Sequence, residues 1–161
     1  MEIIFKKGNS KNTITCRRDD GTSTWMEAEP FMIIHDLTHY AVETSLRFDG
    51  GFYGLVEDGF DITDFQNKQK FKPKEMPPQA AYAEILVNLF LTERSDRKIL
   101  EDFDSVLSEN IRLHQLAPLT VEKSTLDEIR SRSGELMRRW RELPPGEVLK
   151  FCFPQEKVSQ P

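Results

Sequence analysis

The sequence predicts an α+β fold: a small antiparallel sheet, built from a three-stranded N-terminal meander plus a C-terminal strand, packed against about four helices. Three observations predict it. β-rich runs separated by turn dipeptides fill the first 29 residues. Segments with helical apolar spacing fill the middle of the chain, and one more alternating run, "GEVLKFCF", stands near its end. The 161 residues suit a single domain over 1–153, followed by a flexible polar tail over 154–161.

Each element follows from local chemistry. "EIIFKK", "TITCRR" and "TSTWMEAE" are strands, with Gly8-Asn9 and Asp20-Gly21 as hairpin turns between them. In the second run Ile14 and Cys16 alternate with Thr13, Thr15 and Arg17, which turns one face inward. Pro30 opens a first helix over about 30–48, and Asp49-Gly50-Gly51 suits its stop. "GFYGLVEDGFDITDF" then reads as an ordered loop with room for a short helical turn, and residues 66–78, "QNKQKFKPKEMPP", as an exposed connection. A second helix over about 78–93 is apolar nearly all round, the mark of a buried helix. A third over about 96–115 carries Ile99, Leu100, Phe103, Leu107 and Ile111. A fourth, from about Ser124 to before Pro144, carries the stripe Leu126, Ile129, Ser133, Leu136, Met137 and Trp140. The last strand sets Leu149, Phe151 and Phe153 on one side.

Composition narrows the function. Apolar residues make up 38% and charged residues 30%, as in a globular, soluble chain. With 22 basic and 27 acidic residues the formal charge is −5, which argues against nucleic acid or an anionic membrane as the partner. A small molecule or a protein is the expected partner. Cys16 and Cys152 are far apart with no metal-type spacing, and each is expected as a reduced, buried thiol. The N-terminus lacks a signal-peptide pattern, and no run approaches the roughly 18 apolar residues of a membrane span, so the expected location is cytoplasmic.

The chemistry concentrates in "FMIIHDLTHYAVET", residues 31–44, where His35, Asp36, His39 and Glu43 interrupt an apolar run. On a helical wheel His35 falls within an apolar stripe, His39 at its edge, and Glu43 and Asp36 just beyond. His35, His39 and Glu43 form one i, i+4, i+8 ridge, predicted to pass from core to rim. Two histidines at i and i+4 can bring imidazole nitrogens around one divalent ion, as in zinc-binding helices. Glu43 is one candidate third ligand; Glu84, a carboxylate on the apolar second helix, is another, because burying it is costly unless it is paired or metal-bound. Glu57, Asp58 and Asp61 in the intervening loop are further acids that can complete the shell. Asp36 is the catalytic candidate, orienting a ligand or acting as base; it stands where a zinc peptidase has glutamate and is one methylene shorter, which disfavours that chemistry. The expected function is therefore a zinc-type metal-binding protein, possible as a metal-dependent hydrolase. The alternative is a non-enzymatic small-molecule or protein-binding domain in which the same residues form a buried structural network.

"HDLTHYAVETSLRFDGGFYGLVEDGFDI" and "MPPQAAYAEILVNLFLTER" resemble a group of uncharacterised bacterial proteins sharing H-D-L-x-H-x-x-V-E, then G-F-[YW]-G-L-[VI]-x-x-G, then an acid-containing second helix. The resemblance covers about residues 30–95 and implies no activity. Arg47 stands where that pattern has a small residue such as glycine, and Asn88 also departs from it. The glycines of "GFYGLVEDG" do not have phosphate-loop spacing, and that segment is instead expected to wall a pocket beside the histidine helix. "MRRWREL" reads as a solvated arginine face, and His114 as a surface residue.

Overall fold

The computed structural model describes residues 1–66 and 76–154. Most of the expected connection over 66–78 and nearly all of the expected tail over 154–161 lie outside the described residues. Strands β1 (Glu2–Lys6), β2 (Asn12–Arg17), β3 (Ser23–Ala28) and β4 (Val148–Cys152) form one antiparallel sheet in the order β3-β2-β1-β4. The last strand closes the sheet beside the first, with Ile3 opposite Phe151 and Phe5 opposite Leu149. Helices α1 (Pro30–Leu46), α2 (Phe52–Glu57), α3 (Pro78–Asp96), α4 (Phe103–Leu113) and α5 (Lys123–Glu142) complete the α+β fold, with a 3-10 turn at Ile62–Gln66.

Alternation decides which sheet face is covered. Ile3, Phe5, Ile14, Cys16, Leu149 and Phe151 point inward and are buried, while Lys6, Arg17, Glu27 and Lys150 lie on the open face. That parity corrects one expectation. Cys16 is buried, but Cys152 has the opposite parity to Phe151 and is exposed; both thiols are free.

Helix α1 lies against the sheet, α3 and α5 together, so it is the element around which the domain is assembled. Tyr40 ties it to β4, donating to the Cys152 carbonyl at 3.1 Å and stacking obliquely on Phe151. The stripe foreseen on α5 is the set that is buried: Leu126, Ile129, Ser133, Leu136, Met137 and Trp140. On its opposite face Arg138 pairs with Glu135 and Glu142.

Three helix boundaries differ from the pattern. Helix α1 ends before the glycine pair, at Leu46, because Arg47 adopts the left-handed conformation (φ 55°) and the Phe48 amide closes onto the Glu43 carbonyl. A small residue such as glycine would suit that conformation better than the arginine that occupies it. Helix α3 runs on to Asp96, and α4 starts only at Phe103 with Asp102 as its cap, accepting from the Ser105 amide at 3.1 Å. Ile99 and Leu100 keep the helical period but lie in the turn between, where the Leu100 amide donates to the buried Glu93 carboxylate at 3.0 Å. Arg130 of α5 grips the same carboxylate with two bonds of 2.8 and 2.9 Å, which anchors this turn to the helical layer. The expected short helical turn is a full element, α2, and its origin lies in the site described next.

No described helix is long and apolar enough to cross a membrane.

Candidate metal centre

Helix α1 presents His35 and His39 one turn apart, and α3 packs beside it with Glu84 facing them. The two imidazole rings lie 4.7 Å apart, centre to centre. Each ring is held from behind by a carboxylate of its own helix. His35 Nδ1 lies 2.9 Å from Asp36 Oδ1, and His39 Nδ1 lies 3.0 Å from Glu43 Oε1. The opposite nitrogens converge on one group: His39 Nε2 is 3.1 Å from Glu84 Oε2, and His35 Nε2 is 3.6 Å from Glu84 Oε1. His35, His39 and Glu84 thus form a group able to hold a metal ion, with one ligand atom from each lying within 4.8 Å of the others. A carboxylate on the far nitrogen of each ligand histidine is the arrangement that fixes ring orientation and raises ligand basicity at metal sites.

The depth of these residues reverses the wheel. Glu43 is fully buried, His39 and Asp36 nearly so, while His35 is the most exposed of the four. The wheel reports angle around the axis and not position along it. From Asp36 to Glu43 every α1 residue is buried, because the surrounding elements enclose the middle of the helix on all sides; its two ends are more open. Glu84 is likewise half-exposed, at 52% of its side chain, because its strip of α3 faces a cleft.

Glu43 stands behind His39, not beside Glu84. Its Oε1 accepts from the Phe52 amide at 2.9 Å and its Oε2 from the Tyr53 amide at 3.0 Å. These are first-turn N–H groups of α2, which no residue of its own N-terminus caps. A carboxylate from another helix therefore nucleates α2 and aligns with the positive end of its dipole. Gly51 makes this possible, since a Cβ there would lie 2.4 Å from the Glu43 carboxyl carbon. The Gly51→Ala protein is accordingly expected to lose about 2 kcal/mol of stability to this overlap, measurable by urea unfolding. Phe52, delivered by α2, packs on His39 with ring centres 5.3 Å apart.

Asp36 is placed differently from Glu43. Its Oδ1 faces His35, while its Oδ2 is buried with no hydrogen-bond partner among the described residues. Such an atom is costly in a folded protein unless a ligand or a proton completes it. The loop acids stay apart from the group: Glu57 pairs with the Met1 amino group, and Asp58 and Asp61 are exposed.

Electrostatics couple the set. Burial disfavours a charged His39, but its bonds to Glu43 and then Glu84 outweigh burial and raise its pKa to about 10. His35 is also raised: burial opposes its charge, and the bonds to Asp36 and Glu84 overcome it. Hydrogen bonding to His35 and then His39 holds Glu84 well below the usual carboxylate range. Without an ion, the two imidazoles are held toward their charged form and Glu84 toward its ionised form by the hydrogen bonds between them. Burial pushes the Cys16 thiol up to about 12, so this cysteine is no nucleophile.

The triad lies in the wall of a cleft of about 1000 Å³. Beside it stand Asp36 and Asn88, whose Nδ2 donates to Glu84 Oε1 at 3.1 Å. The cleft also reaches Asn110 and His114 at the end of α4. His114 is exposed, as its sequence position implied, but its part in the cleft had no signal in the sequence. No family model, curated protein or solved structure matches the chain.

Proposed function

We propose that this protein binds a divalent ion, zinc foremost, through His35, His39 and Glu84, and that it uses the ion for hydrolysis. The observation that carries the reading is the paired support of the two histidines: each Nδ1 has its own carboxylate, which leaves both Nε2 atoms aimed at one spot beside Glu84. Two histidines and one carboxylate make a three-ligand set of the kind catalytic zinc sites use, and such sites keep a fourth position for water. The set opens on a cleft, where a substrate can reach it. A bound ion supplies a water acidified toward neutral pH. Asp36 orients His35 through Oδ1 and stands in the cleft wall beside the triad, which makes it the candidate proton acceptor.

One observation favours a second reading. All four imidazole nitrogens already face carboxylate oxygens, so the set can close as a structural network without an ion. In that case the cleft serves a non-enzymatic binding protein.

Chelation separates the two. Hydrolysis of p-nitrophenyl acetate is expected to vanish after treatment with a chelator, to return on adding zinc, and to be absent in Glu84→Ala. Turnover that is indifferent to chelator and equal in Glu84→Ala would exclude the hydrolase.

A further inference from the structure

We infer that the substrate of this site is an ester of a medium- or long-chain apolar carboxylic acid, whose acyl chain lies along the cleft with its carbonyl at His35, His39 and Glu84. This rests on the metal-dependent hydrolase reading and names its substrate class.

The walls of the cleft carry the inference. Beyond the triad they are predominantly apolar: Met26 comes from β3, Met32 from α1, Phe52 from α2, Ile62 and Phe65 from the 3-10 turn, and Leu116 from the segment after α4. The α3 wall follows one helical face, in which Ala81, Ile85 and Leu89 alternate with Glu84 and Asn88. Glu84 thus sits within the same strip that would cradle a chain, so the reacting carbonyl and its apolar substituent are read by one helix. A volume of about 1000 Å³ is far more than an acetyl group fills. Methionines at two of these wall positions suit a flexible chain, because the thioether side chain adapts its shape. Among the described residues the charged lining is confined to Asp36, Glu84 and the histidines, so the apolar remainder is what an acyl chain would meet.

The reaction balances as plain hydrolysis. The water oxygen bonds to the acyl carbon, and the bond from that carbon to the ester oxygen breaks. One water proton goes to the leaving alcohol oxygen. The acid product releases the other to solvent.

The test compares zinc-loaded protein on p-nitrophenyl acetate and p-nitrophenyl decanoate, with calorimetric binding of decanoic acid as a readout free of turnover. The expected result is a kcat/KM at least about a hundredfold higher for decanoate, from methylenes buried in the cleft. Decanoic acid binds and acetic acid does not. The Ala81→Trp protein, which fills the α3 wall, loses most of the decanoate preference while retaining its zinc. Equal kcat/KM for the two esters, with zinc-dependent turnover intact, would overturn the substrate class and leave the hydrolase standing. Decanoic acid binding without turnover of either ester would overturn both. The wild-type comparison decides the matter even where Ala81→Trp does not fold.

Discussion

Replacing Glu43 with alanine destabilises the protein by about 4 kcal/mol, which lowers Tm by about 10 °C. The size follows from what the carboxylate holds. Glu43 is fully buried and bonds at once to His39, the Phe52 amide and the Tyr53 amide. Its loss leaves a buried imidazole without its stronger partner and two amides at the start of α2 with no acceptor. Breaking a buried charged pair costs about 3–5 kcal/mol where the remaining partner stays buried. Glu43→Gln retains one acceptor oxygen but presents N–H groups toward donors, so it recovers part of the loss and not all of it. Metal affinity also falls in both variants, by roughly 10–100-fold, because His39 loses the group that orients it. Denaturant unfolding together with zinc titration measures both effects. A loss below about 1 kcal/mol in Glu43→Ala would show that α2 does not depend on this carboxylate.

Zinc affinity is expected to rise at least about 100-fold between pH 6 and 8, and the stability of the ion-free protein to move in the opposite direction over alkaline pH. The His39 pKa is raised in the folded state, to about 10 from an ordinary 6.5. A raised pKa contributes stability that is fully present below about 6.5 and is lost as pH climbs toward 10. Glu84 has the opposite sign: its pKa is depressed, so its contribution is present above about 4.5 and is lost as pH falls. The ion-free protein is therefore favoured by this network between roughly pH 4.5 and 6.5. An ion requires neutral imidazole, so it must displace the His39 proton, and each proton displaced gives tenfold in affinity per pH unit. His35 is raised too and adds to the same slope. Calorimetry in buffers of different ionisation enthalpy counts the protons released. An affinity flat over this range would mean that binding does not use these histidines.

Much of the fold is legible in the sequence because its signals are local. Parity along the strands places Ile14 and Cys16 inward, and period alone identifies the buried stripe of α5. Glu84 is legible as a candidate because a carboxylate on an otherwise apolar helix demands a partner. What escapes is set by long-range contacts. Helix α2 depends on a cap ten residues away on another helix, from Glu43, and no local pattern encodes that. The turn between α3 and α4 is hidden because Ile99 and Leu100 keep the helical period, while the buried Glu93 that receives the Leu100 amide lies in the preceding helix. Depth along α1 is invisible on a wheel, since it depends on which turn of the helix the other elements enclose.

Zinc titration of protein stripped of metal and carrying no histidine tag tests the central claim most directly. The account predicts one zinc ion per chain, held by His35, His39 and Glu84, with saturable binding lost in His35→Ala, His39→Ala and Glu84→Ala. Ala81→Trp remains at one. No saturable binding by the wild-type protein, or equal binding by Glu84→Ala, would contradict it and leave the histidine pair as a structural network.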